Sequence, residues 1–212
     1  MRVLLFLLAL VAFALGGYLA ITGWFLANTA ANILSVGPLA TALAQAPEVA
    51  DLGTGSGAIA LALKQRHPAA RVRAVDCSAP ALAVARANAV HHGLQVEWHL
   101  GNWWQPLLGQ RFHLVVSNPP YVAEDDPHLA ALRHEPALAL TPGGDGLSAL
   151  AEIVDGATQQ LHDGGWLLLE HGHEQANAVR RMLADAGFEA LQTRADLAGR
   201  PRCCGGRRPA SR

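Results

Sequence analysis

Two parts of this sequence carry residues that could do chemistry together. The first is DLGTGSG, residues 51–57, where glycines alternate with small residues. Glycines let a backbone turn tightly and approach a ligand closely, and a following helix would offer free N–H groups. Asp76 ends the next predicted strand, where its carboxylate could accept hydrogen bonds from two ribose hydroxyls. These features predict a ligand that contains adenosine.

The second part is the NPPY loop, residues 118–121, which follows Ser117 at the end of a predicted strand. Asn118 would bring an amide oxygen into the ligand crevice. Pro119 and Pro120 stiffen the loop and leave carbonyls without competing local amides. Tyr121 adds a flat apolar face. A planar NH2 group needs acceptors for both hydrogens and a surface to lie against, so the loop favours a substrate that presents one.

The glycine stretch alone does not decide between cofactors. The spacing Gly55-x-Gly57-x-x-Ala60 approximates a dinucleotide fingerprint, so NAD remains an alternative, as does a tight turn without a ligand. The NPPY loop is the feature that distinguishes between these readings.

Alternating strand and helix patterns from Pro47 onward would bring these residues to one edge of a sheet. Apolar runs, helical periodicity, N-caps and glycine stops define the elements. The predicted strands cover 48–52, 71–76, 95–100, 112–117, 166–172, 188–196 and part of the tail; the predicted helices cover 58–67, 80–92, 147–162 and 174–187. The fold class is therefore α/β, a doubly wound and mostly parallel seven-stranded sheet.

Composition excludes several classes of protein. The 212 residues suit one domain with a short appendage. Sixteen basic against seventeen acidic residues argue against coating nucleic acid by charge alone. A hydrophobic share of 51% excludes disorder for the bulk of the chain. Three cysteines, two of them adjacent, exclude a disulfide framework and favour a reducing compartment.

The front of the chain differs in character from the rest. Residues 3–47 carry no charge, and residues 3–27 are apolar enough for a membrane-spanning helix or a signal-like segment. A buried helix and a start that is not native are the other interpretations. We therefore expect an apolar segment, residues 1–46, that could contact a membrane, and a catalytic domain, residues 47–212.

A metal site is the weaker interpretation of the histidines. His171 and His173, flanked by Glu170 and Glu174, could share an ion at a strand end. No third ligand has convincing spacing, so we predict no metal.

Residues 48–204 resemble the catalytic domain of the HemK/PrmC family, the N5-glutamine methyltransferases of peptide chain release factors. NPPY is shared with amino-group methyltransferases of DNA and RNA, whereas the other stretches are more particular to the family. The resemblance rests on DLGTGSGAIALAL (51–63), AVD (74–76), SNPPY (117–121), EDDPHL (124–129), EP (135–136), GGDGL (143–147), GGWLLLEHG (164–172) and DLAGRPR (196–202).

The resemblance implies a class I S-adenosylmethionine-dependent methyltransferase with a Rossmann-like fold. It assigns cofactor binding to the glycine loop, to one ribose-binding acid, to a tryptophan beside the adenine and to the NPPY asparagine: Gly53, Thr54, Gly55, Ser56, Gly57, Asp76, Trp103 and Asn118. It assigns the grip on the substrate amide to Asn118, Pro119, Pro120 and Tyr121, with Asn118, Pro119 and Tyr121 as the catalytic residues.

The implied reaction is methyl transfer from S-adenosylmethionine to the side-chain nitrogen of a glutamine, that of the GGQ motif of a release factor. The implied enzyme is a cytoplasmic monomer that does not bind nucleic acid directly. An N6-adenine or N2-guanine methyltransferase of nucleic acid is one alternative, and a truncated domain that binds cofactor without efficient turnover is another. Two departures bear on this. Asn102 stands where the family has Asp, and residues 1–46 stand where the family has a helical domain that recruits the release factor.

Overall fold

The computed structural model describes residues 46–126, 140–196 and 198–210. The predicted apolar segment at 3–27, the EP motif at 135–136 and the end of the EDDPHL motif lie outside these ranges. Within them, no helix is long and apolar enough to cross a membrane.

The described residues contain seven strands and four α-helices. The strands are β1 (Glu48–Leu52), β2 (Arg71–Asp76), β3 (Glu97–Leu100), β4 (Phe112–Ser117), β5 (Leu161–Glu170), β6 (Glu189–Ala195) and β7 (Pro201–Arg207). The helices are α1 (Ala58–Arg66), α2 (Ala79–His92), α3 (Ser148–Gln160) and α4 (Ala176–Asp185), and a short 3-10 turn covers Gln105–Leu107.

The strands form one sheet in the order β3-β2-β1-β4-β5-β7-β6. β1 pairs in parallel with β2 and β4, β2 with β3, and β4 with β5, whereas β7 runs antiparallel to both β5 and β6. The predicted α/β fold with a mostly parallel seven-stranded sheet is confirmed. The strand order reverses between β1 and β4, which is where ligands bind in open α/β sheets.

Each face of the sheet has its own hydrophobic core, because successive side chains of a strand point to opposite faces. One core joins the sheet to Leu150 and Ile153 of α3 and to Val179 and Leu183 of α4. The other joins it to Ile59, Ala60 and Leu63 of α1. The adjacent Cys203 and Cys204 of β7 are buried on opposite cores, so the predicted last strand accommodates both.

The ends of α2 follow its local sequence. The Ser78 hydroxyl accepts a hydrogen bond from the Ala81 N–H at 3.2 Å, and Pro80 stands in the first turn. The helix stops at Gly93, whose φ of 64° suits glycine and whose N–H returns to the last turn. The predicted cap and stop are confirmed.

Three predicted boundaries around β5 were wrong. The helix predicted over 147–162 ends at Gln160, the strand predicted over 166–172 covers 161–170, and the helix predicted over 174–187 covers 176–185. Gly164 and Gly165 indicated a turn in the sequence. In the structure their backbone pairs with Arg208, through Gly164 N–H to Arg208 O at 3.0 Å and Arg208 N–H to Gly165 O at 2.8 Å, which keeps them in the strand.

Candidate functional site

The register of the sheet brings the predicted residues to one edge. Leu52 of β1 lies opposite Val75 of β2 and Ser117 of β4. The Ser117 hydroxyl donates to the Leu52 carbonyl at 2.6 Å, which ties the two strand ends together. Gly53 and Asn118 are the next residues of their chains, so the glycine loop, residues 53–57, and the NPPY loop leave the sheet side by side.

The glycine loop has a backbone that only glycine adopts readily. Gly53, Gly55 and Gly57 have φ of 70°, 56° and 82°, in the left-handed region. A Cβ on Gly57 would also lie 2.9 Å from the Trp98 ring. A Cβ on Gly55 would meet nothing within 4 Å, so that glycine is required by conformation and not by crowding. The loop therefore presents bare backbone at the crevice.

Asp76 closes the glycine loop from the neighbouring strand. Its Oδ2 accepts from the Gly55 N–H at 2.7 Å and its Oδ1 from the Ser78 N–H at 2.8 Å. A carboxylate offers about four acceptor positions, so about two remain for a ligand. The contact of Asp76 with two ribose hydroxyls stays a prediction, for which these positions leave room.

Asp51 is a polar residue of the site for which the sequence analysis predicts no role. Its side chain is fully buried at the end of β1, and Oδ2 accepts from the Thr54 hydroxyl at 2.6 Å and the Ala60 N–H at 3.1 Å. Oδ1 is buried without a hydrogen-bond partner in the described part of the chain. Burial raises the pKa of Asp51 to about 7, and the nearby Asp76 charge acts in the same direction.

The NPPY loop offers one acceptor with no partner. Asn118 Oδ1 is buried and accepts no hydrogen bond from any residue that the structure describes. Pro119 is buried and Pro120 is half-buried. The Tyr121 ring is also buried, with 8% of the residue exposed, and its hydroxyl lies 3.4 Å from Glu170 Oε1. The ring is therefore held mostly by the protein, with less free surface than the sequence suggested.

Trp103 lies against the glycine loop. A Cβ on Gly53 would come within 3.0 Å of the Trp103 ring, and Trp103 itself has a φ of 41°, which is unusual for a bulky residue. Asn102, beside it, is exposed. The structure places Trp103 at the crevice, and its contact with an adenine stays a prediction.

His171 is a core residue rather than an open ligand. It is fully buried, its Nδ1 lies 2.8 Å from the Gly172 carbonyl and its Nε2 lies 3.1 Å from Cys204 Sγ. Burial lowers the pKa of His171, which favours the neutral ring. His173 is exposed. Across residues 46–126, 140–196 and 198–210, no three metal-binding side chains lie together.

A family model described as methyltransferase small domain matches residues 34–186, which include the glycine loop, Asp76 and the NPPY loop. The chain belongs to the methyltransferase small domain family. The match begins before the predicted domain boundary at Pro47, so that boundary stays a prediction.

The chain is similar to relatives that are named release factor glutamine methyltransferase. The protein of Xylella fastidiosa (strain Temecula1) is 55% identical over 164 residues, which cover 76% of this chain and 60% of the relative. The protein of Burkholderia pseudomallei is 50% identical over 172 residues, which cover 77% and 60%. The resemblance stated from the motifs is confirmed, and the chain spans about 60% of the length of these relatives.

The fold also matches solved methyltransferases. A 16S rRNA methyltransferase of T. thermophilus, solved in complex with AdoMet and guanosine, superimposes with a TM-score of 0.62 at 18% identity. The superposition covers 88% of this chain and 43% of that chain. At this identity the likeness shows the common fold.

Proposed function

We propose that the chain transfers a methyl group from S-adenosylmethionine to the side-chain nitrogen of a glutamine in a release factor. The observation that carries the proposal is Asn118 Oδ1, a buried acceptor without a partner in the described residues, beside the glycine loop. A buried polar atom without a partner costs free energy, and a ligand that supplies the missing hydrogen would recover it. A primary amide has an NH2 group that can supply it.

The residues of the crevice suit the proposed cofactor. The glycine loop offers open backbone, and Asp76 keeps about two acceptor positions for ribose hydroxyls and places a carboxylate near a ligand that carries positive charge. When bound, the sulfonium cofactor supplies an activated methyl group. What remains for the chain is to hold the acceptor nitrogen in line, which is catalysis by proximity and orientation.

The NPPY loop would prepare the amide nitrogen. Its lone pair is delocalised into the carbonyl, which makes it a poor nucleophile. Acceptors at Asn118 Oδ1 and the Pro119 carbonyl would bind both N–H hydrogens and aim the lone pair at the methyl carbon. The nitrogen becomes acidic once methylated and releases its proton late, so we assign no general base.

Two observations support a protein substrate. The matched relatives are named for release factor glutamine methylation. Glu124 and Asp125, three and four residues after Tyr121, are exposed, and acidic side chains there disfavour a nucleic acid backbone. A nucleic acid methyltransferase would also have to extract its base from the stack.

The decisive experiment is a methyl-transfer assay with three acceptors in parallel. These are a release factor, the same release factor with its GGQ glutamine replaced, and DNA. We expect labelled methyl groups on the first acceptor alone. Transfer to DNA would support the nucleic acid alternative, and cofactor binding without transfer to any acceptor would support a domain that lacks turnover.

Replacing Asp76 should weaken cofactor binding. We expect Asp76→Ala to reduce the affinity for S-adenosylmethionine by roughly 1–3 kcal/mol, because charge-assisted hydrogen bonds are lost and the Gly55 N–H loses its acceptor. Titration calorimetry measures this, with Asp155→Ala on the exposed side of α3 as the matched control. Unchanged affinity in Asp76→Ala, or NADH binding without S-adenosylmethionine binding, would refute the assignment.

We also propose that the chain is a cytoplasmic monomer whose cofactor site lies entirely within residues 47–212. Both the cofactor and the proposed substrate belong to the cytoplasm, which motivates the location.

A fragment of residues 47–212 should bind S-adenosylmethionine within about threefold of the full chain, since every cofactor residue assigned above lies in it. A folded fragment that binds no cofactor would show that the front segment contributes to the site.

A further inference from the structure

Gln175 joins three segments of the chain, one of which is the NPPY loop. Its Oε1 accepts from the Gly172 N–H at 2.8 Å, and its Nε2 donates to the Tyr121 carbonyl at 2.9 Å and to the Asp145 carbonyl at 3.3 Å. One amide thus uses both of its donors and its acceptor on backbone groups of three separate segments.

The position of Gln175 gives no local reason for this side chain. It is the N-cap residue of α4, yet it makes no side-chain hydrogen bond to the helix. Ser, Thr, Asp and Asn are the residues that cap helices well, and Gln is not among them. The side chain is therefore committed to the neighbouring loops and not to its own helix.

A second contact fixes the same carbonyl. Gly146 is buried with a φ of 78°, and a Cβ there would overlap the Tyr121 carbonyl oxygen and lie 3.0 Å from Gln175 Nε2. Only glycine permits so close an approach. Next to it, the Val122 N–H donates to the Leu140 carbonyl at 2.9 Å. The chain is thus held on both sides of the Tyr121 peptide.

The NPPY loop transmits this constraint to Asn118. Only Pro119 and Pro120 separate Asn118 from Tyr121, and proline fixes φ near −65°. Two such residues leave few ways for the loop to absorb a displacement of Tyr121. A shift of the Tyr121 carbonyl therefore moves the Asn118 amide oxygen.

We propose that Gln175 is a positioning residue that sets the NPPY loop for the substrate amide through its hydrogen bond to the Tyr121 carbonyl. The inference rests on the proposed function, because it concerns the orientation of the acceptor nitrogen. Gln175 affects turnover, and it leaves unchanged the cofactor side of the crevice, at Asp76 and the glycine loop.

The test uses Gln175→Glu in the full chain. The ionised variant keeps the acceptor for the Gly172 N–H but places an oxygen against the Tyr121 carbonyl oxygen. We expect kcat to fall about tenfold or more near pH 8, with the KM for S-adenosylmethionine within about twofold of wild type. Gln159→Glu, the same change on the exposed side of α3, should leave kcat unchanged.

Lowering the pH should rescue this variant. The facing Tyr121 carbonyl oxygen disfavours the charged form and so raises the pKa of the introduced carboxyl. Once protonated, the carboxyl has an O–H that can donate to that carbonyl again, so the ratio of variant to wild-type kcat should rise from about pH 8 to about pH 5. Both proteins contain the same neighbouring titratable groups, so their effects on kcat cancel in this ratio. These groups are Glu124, Asp145, Glu170, His171 and Glu174. The Met side chain of Gln175→Met has no N–H or O–H group to donate. This variant should lose turnover, and lowering the pH should not restore it.

Hydrogen exchange of the peptide that covers residues 117–126 provides a readout that needs no activity. We expect faster exchange in Gln175→Glu than in wild type near pH 8. Wild-type exchange and wild-type kcat in that variant would overturn the inference, and so would a kcat ratio that does not change with pH. A wild-type chain that methylates no release factor would refute the proposed function instead. The exchange rates would then still show whether Gln175 holds the NPPY loop.

Discussion

Asn118→Ala should lose about 100-fold or more in turnover on a release factor while its affinity for S-adenosylmethionine stays within about tenfold of wild type. The amide oxygen is buried with no protein partner among the described residues, so its hydrogen bond is free for a ligand. Removing it takes away an acceptor that orients the attacking nitrogen, and the glycine loop and Asp76 stay intact. Single-turnover kinetics and cofactor titration separate the two effects.

The same observation predicts that the variant stays folded. Because Asn118 Oδ1 makes no hydrogen bond within the described protein, truncation to Ala should change the free energy of unfolding by about 1 kcal/mol or less. Asn177→Ala, on the exposed side of α4, is the matched control and should keep wild-type turnover. Full turnover in Asn118→Ala would show that the NPPY loop has been given the wrong role.

The sheet could be predicted from the sequence where local signals and tertiary pairing agree. β1, β2 and β4 are apolar runs that end at a glycine loop, an acid and a proline loop, and the structure reproduces their bounds without change. The start of β5 could not be predicted. Gly164 and Gly165 have the local character of a turn, and only the distant Arg208 supplies the hydrogen bonds that keep them in the ladder.

The residues of the site also fall into those that the sequence could predict and those that it could not. Glycines, Asp76 and Asn118 could be named because their chemistry is visible in a short motif and strand ends share an edge. Gln175 could not, because its bond to Tyr121 spans 54 positions and its residue type has no local signature. In the sequence, the GGDGL and LLLEHG stretches carry only the family resemblance. The structure gives them a physical reason, since Gly146 and Glu170 both contact Tyr121.

The shifted pKa of Asp51 could not be predicted from the sequence either, because it depends on burial in the folded protein. The carboxyl is fully enclosed, and desolvation of the charged form outweighs the hydrogen bonds from Thr54 and Ala60. The folded protein therefore holds a proton on Asp51 up to about pH 7, whereas the unfolded chain releases it near pH 3.8. Ionisation opposes folding between these two values.

Asp51→Asn should consequently become more stable relative to wild type as the pH rises. Protonated Asp51 contributes its full stability below about pH 4, and that contribution is lost as the pH rises towards 7. The difference of about three units between the folded and unfolded pKa of Asp51 corresponds to roughly 4 kcal/mol of stability. The neutral Asn side chain does not ionise, so the variant would not lose this stability as the pH rises. Urea unfolding of both proteins at a series of pH values measures the difference, which should grow by about 1.4 kcal/mol per pH unit and level off above about pH 7.

The matched control for this experiment is Asp185→Asn, at the exposed end of α4. Its stability relative to wild type should change little with pH, because this substitution removes a surface charge and not a buried one. The amide of Asp51→Asn can still accept from the Thr54 hydroxyl and the Ala60 N–H, so the variant tests the buried charge and not the hydrogen bonds. A stability difference that stays flat between about pH 5 and about pH 8 would mean that Asp51 is already ionised in the folded protein, and that a positive group compensates it there.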